Sequence, residues 1–165
     1  VFHKLKNIVM KRVTPEDIKV EDITKNDIFV FGSNESGIHG AGAARFAMDF
    51  LGARYAQGFG MSGNTFAIPT KDWFINKLDL QLIKFYVDRF IVFIKMHQDK
   101  EFLLFKDIKF YVTKIGCGLA GYEPEDNAPL FAECIDMENV YLPQEFIDII
   151  NSKKEENVLN NTEIV

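Results

Sequence analysis

The chain has 165 residues, the length of one domain, and its 47% hydrophobic and 26% charged residues are those of a folded globule, not of a disordered chain or a membrane protein. A net charge of -5 speaks against a nucleic-acid groove, because binding to a phosphate backbone needs a basic face. A small anionic ligand stays open, since backbone amides and one helix end bind phosphate locally.

Along the chain, residues 1–25 read as a lead-in packed on the domain. No secretory leader is visible in VFHKLKNIVMKRV, and Met10 is a second candidate start. Thr14 before Pro15 and Glu16 predicts a short helical turn. Asn26-Asp27 opens a strand, IFVF, apolar on both faces as a central strand should be. GAGAARFAMDFLGA places Phe46, Ala47, Phe50 and Leu51 at helical spacing and closes on Gly52. The stretch TFAIPT predicts a short strand that Pro69 ends, because proline has no N–H for a sheet ladder. Leu80 to Met96 carries Leu80, Ile83, Val87, Phe90, Ile91 and Ile94 at i, i+3, i+4, i+7 spacing, an amphipathic helix interrupted by charges and not a membrane span. Its exposed-looking aromatics hint at self-association; the oligomeric state is not readable.

IKFYVTKIG predicts another strand, and Glu123-Pro124-Glu125-Asp126 a helix start carrying Leu130, Phe131 and Cys134 inward. ENVYL predicts a last strand and QEFIDII a last helix. The polar tail, residues 152–165, is expected to fray. Alternating strands and helices over 26–151 predict an α/β fold with a mixed, mostly parallel central sheet.

In such sheets ligands sit beyond the carboxyl ends of the strands, where Gly32, Pro69 and Gly116 lie. GSNESGIHGAGAA puts glycines at 32, 37, 40 and 42 before a helix start, an arrangement suited to a pyrophosphate. A tight turn with no ligand is the plain alternative. The order G-x-x-G-x-G at Gly37, Gly40 and Gly42 is not the dinucleotide fingerprint, and no acid follows about 20 residues on. KIGCGLAG repeats the device with Gly116, Gly118 and Gly121. Cys117 and Cys134 have neither metal-ligand spacing nor a disulfide framework, so a reduced, cytoplasmic protein without metal or cofactor is expected. Cys117 reads as a packing thiol before it reads as a nucleophile.

VTKIGCGLAGYEPEDNAPLF resembles the second ligand loop of macro domains, in the branch of the terminal ADP-ribose protein glycohydrolase. SNESGIHGAGAARFAMDFLGA resembles that branch's first loop and helix, and TFAIPTKD its strand end. The similarity runs over residues 26 to 135, and across almost the whole chain it extends to macro-like phage and bacterial proteins.

The resemblance implies a three-layer α/β/α sandwich that binds ADP-ribose or a related NAD-derived nucleotide. Gly32, Ser33, Asn34, Gly40, Ala41 and Gly42 would meet the distal ribose and phosphates. Ile115, Gly116, Cys117, Gly118, Leu119, Ala120, Gly121 and Tyr122 would wrap the diphosphate, with Thr70 beside them. Lys71 matches the lysine that attacks the anomeric carbon in the hydrolytic relatives. Those relatives carry an aspartate where this chain has Ala120; losing it costs roughly 100-fold to 10,000-fold for general acid–base catalysis.

Asp72, Glu123, Asp126 and His39 are the candidates to replace it, and Asp72 is equally an ion-pair partner for Lys71. His39 is also a candidate ribose contact, with an ordinary exposed loop histidine as the alternative, and Tyr122 and Phe59 are candidate base-stacking rings. Trp73 is either core or ligand wall. Two functions remain: hydrolysis of ADP-ribosyl linkages on a macromolecule through Lys71, or binding and sequestering without turnover.

Overall fold

Strand β1 (Asp27–Asn34) lies at the centre because its side chains are apolar on both faces. Ile28 and Val30 enter one core cluster; Phe29 and Phe31 enter the other. The computed structural model describes residues 12–98 and 107–162. Met10 and the rest of residues 1–11 lie outside them.

Helix α1 (Gly42–Phe50) packs on the Phe29 and Phe31 face, where Ala47 and Leu51 are buried. Phe50, expected to face inward, is exposed. The chain returns through β2 (Gly60–Ser62), a strand missing from the sequence reading, which pairs antiparallel with β3 (Thr65–Lys71). Strand β3 lies parallel to β1. Helix α2 (Leu80–Gln98) then covers the opposite face with Ile83, Val87, Phe90, Ile91 and Ile94. Strand β4 (Lys109–Val112) pairs parallel with the other side of β1, and β5 (Val140–Tyr141) parallel with β4. The result is a five-stranded mixed, mostly parallel sheet in the order β2-β3-β1-β4-β5, with helices packed on both faces.

Five local expectations change. Pro69 does not end β3, which continues to Lys71. The register between β1 and β3 shifts at Ser33/Asn34, beside Pro69, and Ser33's carbonyl accepts from the Thr70 hydroxyl. In this parallel register β3 donates to β1 from alternate residues, Phe66, Ile68 and Thr70, so the Pro69 nitrogen faces the β2 side, where pairing has ended at Ala67, and its missing N–H breaks no ladder bond. The turn expected at Thr14 is a bend at residues 16–17, and the helical turn falls at Val20–Asp22. There Asp22 accepts from the Lys19 N–H.

Strand β4 stops at Val112, three residues before Ile115. Helix α3 (Pro124–Asn127) opens as expected, with Asp126 accepting from the Glu123 N–H, but tightens into a 3-10 helix over Ala128–Asp136. Pro129 removes a helical donor there. The tighter period of three buries Ala128, Phe131 and Cys134, leaving Leu130 half-buried.

The tail is helical: α4 (Gln144–Thr162) buries Phe146, Ile147 and Ile150 and continues, exposed on all sides, from Asn151 to Thr162. At the far edge Val13 forms a parallel bridge to Leu142, docking the described part of the lead-in. Among the described residues no helix is long and apolar enough to cross a membrane.

Candidate functional site

Parallel strands β3, β1 and β4 end on one side of the sheet. From β1 the chain leaves toward α1 on one face; from β4 it leaves toward α3 and the 3-10 helix on the other. Adjacent strands whose connections diverge open a crevice between their carboxyl ends. A cleft of about 540 Å³ occupies that place, lined by Gly32, Ser33, Asn34, Gly40, Ala41, Gly42, Thr70, Lys71 and the run Gly116 to Ala120. The two glycine loops approach closely at the floor, where the Gly32 Cβ position lies 3.6 Å from the Gly116 nitrogen.

Each loop is held from behind. Asn34 accepts from the Ile38 N–H at 2.9 Å and donates to the Ile38 carbonyl at 2.7 Å, closing the first loop on itself. Gly37, at φ 72°, lies against the chain at Ala56 and Gln57 so closely that a Cβ would come within 2.2 Å of the Gln57 nitrogen. That glycine serves loop packing. Ser33 donates to the Gly58 carbonyl. In the second loop, buried Asn127 donates to the Ile115 carbonyl at 2.8 Å, and its Nδ2 lies 2.1 Å from the Gly116 Cβ position.

Gly40 and Gly118 differ from these. Neither has a left-handed φ, and among the described residues nothing lies within 4 Å of either Cβ position. Both line the cleft. The protein's own packing requires glycine at neither position, although glycine costs backbone entropy on folding. Between them, the first turn of α1 (Gly42, Ala43, Ala44) opens on the cleft from Ala41, an N-cap residue that makes no capping bond. No acid stands in that turn. Its unpaired N–H groups and positive dipole end are left for whatever enters.

Among the described residues two lysines and no carboxylate line the cleft. Lys114 Nζ pairs with Glu145 at 3.1 Å; no ion pair of Lys71 occurs among the described residues. Asp72 does not pair with Lys71: its Oδ1 accepts from the Phe74 and Asn76 N–H groups at 2.8 and 2.9 Å. Asp126 is held by the α3 cap, and neither it nor Glu123 lines the cleft. Glu35, next to the first loop, accepts from the Tyr86 hydroxyl. None of the three carboxylates expected to replace an aspartate at the Ala120 position, Asp72, Glu123 and Asp126, lines the cleft.

Four expected site residues are placed elsewhere. His39, 1% exposed, is a core histidine: Nε2 meets the Arg54 carbonyl at 3.0 Å and the ring stands edge-on to Phe31. Burial lowers its pKa below 6.5, so it is a neutral packing group. Ile115 is core, and exposed Gly121 does not line the cleft. Tyr122 donates to the Leu78 carbonyl beneath the Lys77 ammonium, outside the cleft lining.

Phe59 packs on Phe66 and Tyr86, and Trp73 is exposed. The Cys117 thiol lines the cleft, but burial pushes its pKa up to about 11 against the lowering effect of Asn127, so it is protonated and weakly nucleophilic.

The sequence reading missed Ile38, Ala43, Ala44, Ile75, Thr113 and Lys114 on the cleft wall. Asp72 two residues before Phe74 is a turn signal that announces the Ile75 loop. A second cavity, of about 750 Å³, continues from the first past Gly42, Ala43, Thr113 and Lys114. It is walled by Asp17, Ile18, Phe29, Phe46, Gln144 and their neighbours. No family model, no curated protein and no solved structure matches the chain.

Proposed function

We propose that the cleft binds ADP-ribose or a related NAD-derived nucleotide in a macro-like three-layer domain, without turnover, in a reducing cytoplasmic setting. One observation carries this reading: Gly40 and Gly118, free of any packing or conformational demand, lie on one cleft whose wall contains an uncapped helix start. Backbone donors that a side chain would obstruct are what a diphosphate needs. Lys71, without a carboxylate partner among the described residues, adds positive charge. The diphosphate sits between the glycine loops, and the adenosine end extends into the second cavity, which opens off the same wall.

Calorimetry with ADP-ribose tests the reading. Saturable binding is expected, weakened roughly tenfold or more by Gly40→Ala or Gly118→Ala, since one lost charge-assisted hydrogen bond is worth about 1.5–3 kcal/mol. Absence of saturable heat refutes it.

A second reading, hydrolysis of ADP-ribosyl linkages on a macromolecule, is favoured by Lys71 standing at the cleft without an ion pair among the described residues. It lacks an acid–base carboxylate. Release of ADP-ribose from a modified carboxylate or nucleic-acid base, abolished by Lys71→Ala, would establish it; release unaffected by that change would remove Lys71 as nucleophile.

A further inference from the structure

The cleft has an apolar mouth as well as a glycine floor. Three loops each contribute one aliphatic side chain to its lining: Ile38 from the first loop, Ile75 from the turn after β3 and Leu119 from the second glycine loop. These are 44%, 42% and 72% exposed. Three large apolar groups left in water around one opening indicate a surface that a ligand completes. The Ile75 turn is fixed by Asp72, which accepts two of its N–H groups, and by the Asp72 N–H bond to the Asn76 carbonyl at 2.7 Å. It holds Ile75 at φ 66°, a conformation that β-branched residues avoid. Trp73 and Phe74 stand exposed in the same turn.

We propose that this mouth is a second base subsite, so that the preferred ligand carries an uncharged heteroaromatic base on both riboses. This rests on the nucleotide reading above and specifies its ligand. A flat ring covers aliphatic walls on three sides, which a bare ribose hydroxyl does not. Lys71 lines the same cleft, where no carboxylate balances it, and disfavours a cationic ring. The net charge of -5 favours a free dinucleotide over a base within a nucleic-acid strand.

The test compares ADP-ribose with diadenosine diphosphate, which adds a neutral base to the second ribose, by calorimetry on the full chain. Wild type should bind the dinucleotide roughly 5- to 100-fold more tightly, the range that covering about 40–110 Å² of apolar surface gives. Ile75→Asn, which keeps a residue tolerant of the left-handed region, and Leu119→Ser, at an exposed position, should each bring that ratio toward one. If wild type binds ADP-ribose but shows no preference, or both variants keep it, the second subsite is overturned while the nucleotide reading stands. If wild type binds neither, both fall.

Discussion

At the residue scale, the glycines of this chain separate into those the fold needs and those its own packing does not explain. Gly116 is of the first kind, with φ at 78° and Asn127 Nδ2 at 2.1 Å from its Cβ position. Gly116→Ala should lower unfolding free energy by about 2–5 kcal/mol, combining left-handed strain with overpacking. Gly40→Ala and Gly118→Ala should leave stability unchanged or raise it by about 0.4–1 kcal/mol through the unfolded chain. Urea unfolding of the three variants distinguishes the two kinds; equal losses would show that Gly40 and Gly118 are structural too.

The sequence displayed all of these glycines but not their division of labour. That depends on what lies behind each Cβ position, which is set by residues as distant as Gln57 and Asn127. His39 shows the same limit. Its place before Gly-Ala-Gly suggested a ligand contact, and only the packing of Phe31 and the Arg54 carbonyl turns it inward.

At the element scale, strong periodicity was legible and boundaries set by pairing were not. The apolar spacing of α2 includes its five buried residues, and only Leu80, at the first position of the helix, is half-buried instead. Strand β2, three residues long and glycine-led, exists because β3 offers it an edge, and no local pattern announces it. Pro69 was read as a stop because the side to which its nitrogen points is set by the register with β1 and by where β2 ends, neither of which is local. The Thr70 hydroxyl adds a side-chain donor to the Ser33 carbonyl, so Thr70→Val should destabilise by about 0.5–1.5 kcal/mol, the net worth of one hydrogen bond. Amide exchange should quicken at the β1–β3 end first; no change there would mean that the carbonyl finds another partner.

The outer half of α4 gives the opposite expectation. Residues from Asn151 to Thr162 are exposed throughout, so they add no core. Truncation after Ser152 should change unfolding free energy by no more than about 0.5 kcal/mol, the size of a surface effect. A larger loss would show that the exposed Lys154–Asp136 pair at 3.6 Å, which the truncation removes, is worth more than a surface ion pair usually is.

At the scale of the whole molecule, fold class and the side of the sheet bearing the site followed from the order of elements, because parallel strands bring their carboxyl ends together. The mouth of the cleft did not, since Ile38, Ile75 and Leu119 meet only in three dimensions. The buried titratable groups add a prediction that belongs to no single element. Burial, the largest cause in each case, raises Cys117 from 9.0 to about 11, Cys134 from 9.0 to about 12, and Tyr86 from 10.0 to about 12. An unfolded chain releases these protons near their ordinary values, while the folded chain keeps them. Above about pH 9 the unfolded state thus binds fewer protons, and stability falls as pH rises.

On the acid side the sign reverses in the same logic. Burial depresses His39 below 6.5, so below that pH the unfolded state binds the extra proton and stability falls as pH falls. Urea midpoints measured from pH 5 to 10.5 should trace a plateau between roughly pH 6.5 and 9 with a decline on each side. His39→Phe should flatten the acid decline, and Cys134→Ala the alkaline one, even where each lowers the plateau. An alkaline limb that rises, or one that keeps its slope in Cys134→Ala, would show that the thiol ionises as freely in the folded core as in the open chain.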